Sequence, residues 1–506
     1  MANHLYDALF GPHESTQTPF LLRPGQGPVS YGDFLALASR VAGVMAEHGI
    51  ATGNRVAVQV KKSVEALAVY AACVRAGAVF LPLNPAYTPT EVEYFVTDAE
   101  AALLVCDPTS AAVLLPLAAK VGAKLFTLGG DGAGSLIDAA RGHGKASAVV
   151  PRGSEDLAAF LYTSGTTGRS KGAMLTQGNL LSNARTLVDA WRFTAEDVLL
   201  HALPIFHTHG LFVATNITLL AGGTMIFLPG LDIDDLIAQM PNATAMMGVP
   251  TFYTRLLADP RFSRELTAHM RLFVSGSAPL LAETHAEFAA LTGHRILERY
   301  GMTETNMNTS NPYEGERRAG TVGFPLDGVE IRICEAETGR PRRQGEIGVI
   351  EVRGPNVFKG YWKMPEKTAQ ELRADGFFIT GDLGRIDADG YISIVGRAKD
   401  LIIAGGYNIY PQEVESVLDD NPVILESAVV GVPHPDLGEA VIAVVTLRGN
   451  AVFDEGAVLA GLRDRLARFK QPRRILVIDE LPRNAMGKVQ KALLRARFGG
   501  LFLPSG

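Results

Sequence analysis

The chain has 506 residues, of which 20% are charged, with a formal net charge of −6 and a sequence pI near 6.0. A chain of this length can bury more than one core without covalent crosslinks, so we expect at least two domains. Because the charge is mildly acidic and shows no basic stripe, the composition argues against nucleic acid as the main partner. Cys73, Cys106 and Cys334 lie far apart and lack metal-ligand or disulfide spacing, so we expect reduced core residues.

Neither the first 20 residues nor any later segment indicates export or membrane insertion. Residues 1–20 mix His, Asp, Glu and Pro and contain no long apolar stretch of the kind that signal peptides have. No uninterrupted apolar run approaches about 18 residues, so we expect no membrane-spanning helix. The predicted location is the cytoplasm.

Apolar runs with strand character alternate with helical patterns. Strands are predicted at 55–60, 79–83 and 101–106, and helices at 64–75 and 90–98. The rhythm continues with strands predicted at 198–203, 225–228, 243–247 and 272–275. Such alternation predicts an α/β fold with helix-covered, largely parallel sheets.

The pattern changes in the last third of the chain. From about Gly320 it becomes denser in β character, as at 345–354 and 390–396, and predicts a β subdomain. After the charged residues 397–400 and a Gly-Gly pair, a helix is predicted from about Pro411. We therefore predict a large N-terminal domain at 1–398 and a small, mobile α+β lid domain at 399–506.

One short segment concentrates the features of a phosphate site. Residues 162–172 read Tyr-Thr-Ser-Gly-Thr-Thr-Gly-Arg-Ser-Lys-Gly. Hydroxyl donors, conformationally free glycines and a lysine suit a polyphosphate. The candidate binding residues are Thr163, Ser164, Gly165, Thr166, Thr167, Gly168 and Lys171. The spacing differs from a Walker A loop, and the apolar flanks at 157–162 and 172–175 predict a hairpin tip. The alternative is a flexible Gly/Ser/Thr linker.

This segment resembles the phosphate loop of the acyl-adenylate-forming superfamily, which contains acyl-CoA synthetases, luciferases and the adenylation domains of peptide synthetases. Six further segments resemble the later signatures of that superfamily, in the same order. They lie at 203–210, 274–280, 298–304, 380–384, 396–411 and 482–491. Taken singly, each has an ordinary explanation, such as a core histidine, a β-turn or a solvated lysine. Their order across most of the chain favours the superfamily.

The resemblance implies a role for each of these segments in binding ATP and activating an acid. It places His207 beside the acyl substrate, Tyr300 on the adenine ring, Thr303 on the α-phosphate and Glu304 on Mg²⁺. Further ATP-binding residues implied in the same way are Ser277, Ala278, Pro279, Glu298, Gly301 and Met302. The expected substrates are therefore ATP with Mg²⁺, an acid and coenzyme A.

The later signatures imply the remaining parts of the machinery. Asp382 and Arg397 are expected to bind the ribose, and Lys488 to act at the α-phosphate with His207, Thr303 and Glu304 as the other catalytic residues. Gly405, Gly406 and Tyr407 are expected to line the pantetheine tunnel. Lys399 is expected to be the hinge between two half-reactions, adenylate formation and thioester formation. Acylation of Lys488 would remove its charge and is an expected form of control.

Arg299 carries the information about which acid is used. Its position lies against the acyl pocket in this superfamily, where enzymes for fatty or aromatic acids usually have an uncharged residue. A cation implies an anion, and a bidentate carboxylate pair is worth roughly 1.5–3 kcal/mol. Arg255 follows a strand that borders the same pocket and is a second candidate. The alternative is that Arg299 pairs with Glu298 or another protein carboxylate.

With these residues the chain resembles malonyl-CoA synthetases most closely. The resemblance implies that malonate, ATP and coenzyme A give malonyl-CoA, AMP and pyrophosphate, with methylmalonate as a second substrate. The nearest alternative is an acyl-CoA synthetase for another small acid. More distant alternatives are a carrier-loading adenylation enzyme, a thiolation-independent adenylate enzyme and a non-catalytic nucleotide sensor.

Overall fold

The computed structural model describes residues 2–143, 148–163, 170–404, 407–435, 437–449, 451–463, 465–484 and 487–502. Its strands are β1 Pro19–Leu22, β2 Val29–Ser30, β3 Arg55–Gln59, β4 Val79–Pro82, β5 Ala101–Cys106, β6 Lys124–Thr127, β7 Leu157–Thr163, β8 Lys171–Thr176, β9 Val198–His201, β10 Thr224–Phe227, β11 Ala245–Gly248, β12 Leu272–Ser275, β13 Leu297–Met302, β14 Asn306–Ser310, β15 Phe324–Pro325, β16 Glu330–Cys334, β17 Gly348–Arg353, β18 Phe378–Ile386, β19 Ile392–Arg397, β20 Ile402–Ala404, β21 Tyr407–Ile409, β22 Ile424–His434, β23 Gly438–Leu447 and β24 Arg474–Val477.

Its α-helices are α1 Tyr6–Leu9, α2 Tyr31–Glu47, α3 Val64–Ala76, α4 Pro89–Asp98, α5 Ala111–Val121, α6 Ser135–Gly142, α7 Gln177–Trp191, α8 Asn216–Ala221, α9 Ile233–Gln239, α10 Pro250–Leu257, α11 Arg264–Thr267, α12 Ala282–Thr292, α13 Pro365–Glu371, α14 Pro411–Asp419, α15 Glu455–Gly461 and α16 Lys491–Phe498. Within these described segments, we find no helix that is both long and apolar enough to cross a membrane.

A six-stranded sheet has the order β6-β5-β3-β4-β7-β8, parallel except where β8 returns antiparallel to β7. The register pairs Thr163 with Lys171, so the two ends of the candidate phosphate loop meet at one edge. The predicted hairpin is confirmed, while residues 164–169 lie outside the described residues. Helix α3 packs against α2 and is buried along almost its whole length, because eleven of its 13 residues are Ala, Val, Leu, Tyr or Cys.

A nine-stranded sheet has the order β15-β14-β13-β12-β11-β9-β10-β1-β2. Strands β9 to β13 run parallel, so their carboxyl ends meet along one edge of the sheet, where α/β proteins commonly bind ligands. Strand β14 then turns back antiparallel to β13. His207 lies in the segment after β9, Ser277, Ala278 and Pro279 lie in the turn after β12, and Thr303 and Glu304 follow β13.

Two smaller antiparallel units follow. Strands β16 to β19 form the β subdomain that the sequence predicts, and β18 pairs with β19 so that Asp382 stands opposite Arg397. Strands β20 to β24 form a further sheet, with β24 parallel to β23 and helices α14 to α16 around it. The predicted α/β fold with its β-rich subdomain is confirmed, and the three free cysteines are buried as expected.

Candidate active site

The base of the candidate phosphate site joins β7 and β8 to the turn after β13. Thr163 Oγ1 donates to Glu304 Oε1 at 3.2 Å. The Nζ of Lys171 lies 3.3 Å from the Glu371 carboxylate and 4.0 Å from the centre of the Tyr361 ring. Lys171 is therefore buried and paired at one edge of the site. Ser164, Gly165, Thr166, Thr167 and Gly168 lie outside the described residues.

Glu304 is a buried carboxylate that accepts hydrogen bonds from the hydroxyl groups of Thr163 and Tyr361. The Tyr361 hydroxyl lies 3.1 Å from its Oε1 and 2.6 Å from Glu371 Oε2, so this tyrosine stands between two acidic groups. Burial raises the pKa of Glu304, and Lys171 opposes that shift. Sequence reasoning missed Tyr361, since a lone Tyr in a Gly-Tyr-Trp string gives no chemical signal.

The residues expected to bind the nucleoside form one connected cluster. The Tyr300 hydroxyl donates to Asp382 Oδ2 at 2.5 Å, and Arg397 Nε donates to Asp382 Oδ1 at 2.6 Å. The antiparallel pairing of β18 with β19 sets the second contact, and β13 brings Tyr300 to it. A cation, a carboxylate and a buried aromatic ring thus lie together beside Glu304.

Backbone sterics hold two glycines at the centre of the site. A Cβ built on Gly301 would lie 2.0 Å from the carbonyl oxygen of Asn306, and one on Gly276 would lie 2.4 Å from Arg299 Cζ. Residues Ser277, Ala278 and Pro279 then form the turn between β12 and α12, where Ser277 has φ +72°. The Ser277 hydroxyl lies 3.2 Å from His209 Nδ1.

Arg299 is a buried guanidinium without a carboxylate partner. It is 4% exposed, and its Nε and Nη2 have no hydrogen-bond partner among the described residues. Burial lowers its pKa to about 9. Neighbouring strand residues point to opposite faces, so Glu298 faces His285 and the Gly320 amide instead of Arg299. In the described part of the chain, no carboxylate lies within ion-pair distance of Arg299.

Two histidines border Arg299. Burial lowers the pKa of His207 to about 3, with Lys488 and then Arg299 adding to the effect, and burial keeps the pKa of His209 well below its usual value. Both rings are therefore neutral near pH 7. His209 Nε2 has no partner among the described residues. Of this string only His207 was a predicted site residue, and the second histidine, His209, was the available signal for the other.

Lys488 lies on a short hairpin in which Arg483 bridges to Val489. Its amide donates to Asn484 Oδ1 at 3.0 Å, and its carbonyl accepts from the Asn484 amide at 2.9 Å. The surrounding cleft walls desolvate the ammonium and lower the pKa of Lys488, and Arg397 lowers it further. Its side chain still keeps accessible surface, so it lies in an open cleft rather than in a core.

Some predicted residues lie away from this cluster. Arg255 is exposed on α10, while Tyr253 of the same helix is buried near Arg299. Tyr407 is 56% exposed and stacks on Phe469 at 4.5 Å, and Gly405 and Gly406 lie outside the described residues. Lys399 is exposed in the single 3₁₀ turn between β19 and β20.

Taken together, the site has three chemically distinct parts. The Thr163, Lys171 and Glu304 group offers hydroxyls, a cation and a carboxylate at the edge of the hairpin. The Tyr300, Asp382 and Arg397 group offers a buried aromatic ring, a carboxylate and a cation. The third part is the group of Arg299, His207 and His209, which lies against the turn residues Gly276 and Ser277. This arrangement suits an anion joined to a nucleotide.

Comparison with known proteins places the chain in a family. Residues 13–362 match the AMP-binding enzyme family, and residues 413–488 match the AMP-binding enzyme C-terminal domain. The chain is 36% identical over 480 residues to a malonate–CoA ligase of Arabidopsis thaliana, covering 88% of this chain and 78% of that protein. It is 35% identical over 496 residues to a feruloyl-CoA synthase of an Amycolatopsis species, covering 97% of both.

Solved structures agree with this relationship. The chain is 57% identical to ATP-bound MatB from Rhodopseudomonas palustris, with a TM-score of 0.97 over 99% of this chain and 100% of that one. Against apo MatB from the same organism, with the same identity and coverage, the TM-score is 0.86. The chain belongs to the AMP-binding enzyme family of adenylate-forming enzymes and is an acid–thiol ligase of the acyl-CoA synthetase type.

Proposed function

We propose that this acyl-CoA ligase is a malonate–CoA ligase, and the unpaired guanidinium of Arg299 is the observation that carries the proposal. An uncompensated buried charge is destabilising by several kcal/mol, so the fold keeps Arg299 there against a cost. A substrate with a second carboxylate removes that cost by forming a charge-assisted pair. His209 Nε2 and the Ser277 hydroxyl lie beside it and supply further hydrogen bonds.

Arg299 lies near Lys488, whose pKa its charge helps to lower. Gly276 lies directly against the guanidinium, so Arg299 is held at the turn that precedes α12. A short diacid places its two carboxylates only a few ångströms apart, one on Arg299 and the other toward Lys488. Malonate, the shortest diacid with a carbon between its carboxylates, fits this arrangement, and methylmalonate keeps both carboxylates.

Overall sequence identity does not indicate which acid is the substrate. The malonate–CoA ligase of Arabidopsis thaliana and the feruloyl-CoA synthase of Amycolatopsis are almost equally identical to this chain. Malonate and ferulate differ in charge, since only malonate is a diacid. The choice between such acids therefore rests on the few side chains of the pocket, above all Arg299.

Adenylate formation is the first half-reaction of the proposed mechanism. One carboxylate oxygen of malonate attacks the α-phosphorus of ATP, the bond to the β-phosphate oxygen breaks, and pyrophosphate leaves. Lys488 offsets the negative charge that develops at the α-phosphate, and Thr303 donates a hydrogen bond there. Thr163, Lys171 and the hairpin hold the departing phosphates, while Tyr300, Asp382 and Arg397 hold the nucleoside.

Glu304 is the residue that would hold Mg²⁺. Mg²⁺ is usually bound by one or two carboxylates together with substrate phosphates, and a buried carboxylate next to the phosphate hairpin matches that donor set. When bound, the ion neutralises phosphate charge. Among the described residues no cluster of three or more acidic, His or Cys groups forms a cage, which agrees with ligation shared with ATP.

Thioester formation is the second half-reaction. The coenzyme A thiolate attacks the acyl carbon of malonyl adenylate, the bond from that carbon to the phosphate oxygen breaks, and AMP leaves. We infer that residues 399–506 rotate about Lys399 between the two steps, so that the Lys488 hairpin makes way for the segment of Gly405, Gly406 and Tyr407. The different TM-scores against ATP-bound and apo MatB support such a rearrangement. Because the Lys488 side chain is accessible, acylation at this residue would stop the first step alone.

An acid panel tests the proposal. Pyrophosphate release and thioester formation are measured with malonate, methylmalonate, succinate, acetate, propionate and ferulate, with and without coenzyme A. We expect the highest kcat/KM for malonate, thioester only when coenzyme A is present, and AMP in equal amount to thioester. A kcat/KM for propionate equal to or above that for malonate would contradict the proposal and favour a ligase for small monocarboxylates.

A further inference from the structure

A lysine outside the reacting centre is bonded to the segment 203–210. Lys62 lies between β3 and α3, and its Nζ is 2.8 Å from His201 Nδ1, 2.8 Å from the His201 carbonyl oxygen and 3.0 Å from the Leu203 carbonyl oxygen. An ammonium has three N–H donors and no acceptor, so these contacts use every donor of Lys62. The ring of Phe227 covers the same ammonium at 4.3 Å.

The Gly210 carbonyl and Lys62 together fix the hydrogen on His201. A carbonyl oxygen only accepts, so the single ring hydrogen of neutral His201 lies on Nε2, and Nδ1 accepts from Lys62. Burial lowers the pKa of Lys62, and the three acceptors around its Nζ favour the ammonium form against that effect. Nε2 is 2.8 Å from the Gly210 carbonyl oxygen and donates to it. Burial lowers the pKa of His201 well below its usual value, and Lys62 lowers it further, which keeps the ring neutral.

The two anchored carbonyls lie at the ends of the segment that carries both pocket histidines. Leu203 is at its start, and Gly210 is in the π-helical turn His209–Thr215. A Cβ on Gly210 would lie 2.1 Å from the Pro204 carbonyl oxygen, so the segment folds back on itself. An open cavity of about 630 Å³ borders residues 204–206. Hydrogen bonds from Lys62 to Leu203 and from His201 to Gly210 hold the two ends of the segment.

We propose that Lys62 is a positioning residue for the acid pocket, which it orders through the Leu203 carbonyl and the fixed tautomer of His201. Its effect reaches the substrate through His207 and His209, and Lys62 itself does not touch the reacting atoms. The inference rests on the proposed place of the acid beside these histidines, but it does not depend on which acid is used.

The kinetic test uses Lys62→Met with the exposed neighbour Lys61→Met as the matched control. With the best acid of the panel, we expect Lys62→Met to raise KM for the acid about tenfold while KM for ATP changes less than about twofold. Lys61→Met should leave both unchanged. Equal changes in both KM values, or no change at all, would overturn the proposal. If malonate is not the best acid, the assay still gives an answer with the acid that is.

A second pair of variants changes the hydrogen bonds of His201 while Lys62 keeps its charge. His201→Gln keeps an acceptor for Lys62 and an N–H donor for Gly210, whereas His201→Phe keeps neither. We expect His201→Gln to retain acid binding near the wild-type level and His201→Phe to match Lys62→Met. A similar loss of acid binding in His201→Gln and His201→Phe would contradict the proposed chain of hydrogen bonds from Lys62 through His201 to Gly210.

The tautomer of His201 can also be measured directly in the wild-type enzyme. In ¹⁵N-histidine-labelled protein, with the His201 signal assigned by its absence in His201→Gln or by scalar coupling, we expect the Nε2–H tautomer throughout pH 6 to 8. An Nδ1–H tautomer, or a ring that becomes charged in that range, would overturn the proposed direction of the chain of hydrogen bonds.

Discussion

At the scale of single residues, the site is defined by which charges have partners and which do not. Asp382 pairs with Arg397, and Lys171 pairs with Glu371. Arg299 has no such partner among the described residues, although it is buried. A guanidinium retained in this state indicates an anion that arrives with the substrate. The neutral His207 and His209 add donors or acceptors without competing for that anion.

Lys488→Ala is expected to abolish the first half-reaction and spare the second. Loss of a preorganised charge at the α-phosphate typically lowers the rate about 10²- to 10³-fold, so ATP–pyrophosphate exchange should fall by at least that factor. Conversion of supplied malonyl adenylate to malonyl-CoA should continue near the wild-type rate. The exposed Lys363→Ala is the control for removal of a surface lysine. Loss of both half-reactions in Lys488→Ala would contradict the assigned role.

At the scale of elements, helix α14, which packs on the sheet of β20 to β24, carries a half-buried acidic group. Asp419, at the end of α14, has a buried Oδ1 without a hydrogen-bond partner among the described residues. Burial raises its pKa to about 7, Glu415 and Glu426 add to the rise, and a hydrogen bond from Ser427 opposes it. Glu415 pairs with Lys491 and Glu426 contacts Arg483, so the two neighbouring acids are already paired.

Asp419→Asn is expected to make the protein more stable at alkaline pH. The folded pKa of about 7 lies above the ordinary value of 3.8, so the contribution of Asp419 to stability is fully present below pH 4 and is lost as the pH rises to 7. Relative to Asp419→Asn, the wild type should lose about 3 kcal/mol between pH 5 and pH 8, because about two pKa units separate pH 5 from the folded pKa of about 7 and each unit corresponds to about 1.4 kcal/mol. Urea unfolding at both pH values measures this. Asp420→Asn, which affects only the surface pair with Arg465, should show no such pH dependence.

Lys399→Pro is expected to spare the first half-reaction and abolish the second, which is the reverse of the effect expected for Lys488→Ala. Proline fixes φ in the 3₁₀ turn between β19 and β20, so the closed arrangement with Lys488 facing the nucleotide site should persist. Adenylate formation should continue and thioester formation should collapse, whereas Lys399→Ala should keep both. If Lys399→Pro loses both half-reactions equally while its circular dichroism is unchanged, the hinge lies elsewhere.

At the scale of the whole molecule, periodicity predicted most of the fold because strands and helices alternate with clear apolar faces. The strands Ala101–Cys106 and Leu272–Ser275 have the predicted bounds, and α14 begins at Pro411 as predicted. Polar contacts between residues far apart in the sequence could not be predicted in this way. Tyr361 lies 57 residues from Glu304, and Lys62 lies 139 residues from His201, so no local pattern connects them. Arg255 shows the opposite case. It lies close to pocket residues in sequence, but it is on the exposed face of α10.

The central claim is that a buried guanidinium selects an acid with a second carboxylate. It is tested most directly by measuring kcat/KM for malonate and for propionate. The enzymes compared are the wild type, Arg299→Ala, the volume-matched Arg299→Met and the exposed control Arg255→Ala. An unpaired distal carboxylate costs at least about 2–4 kcal/mol, so the Arg299 variants should lose roughly 30- to 1,000-fold on malonate and far less on propionate. Arg255→Ala should leave the malonate-to-propionate ratio unchanged. Equal losses on both acids in the Arg299 variants would show that Arg299 is structural and would contradict the dicarboxylate assignment.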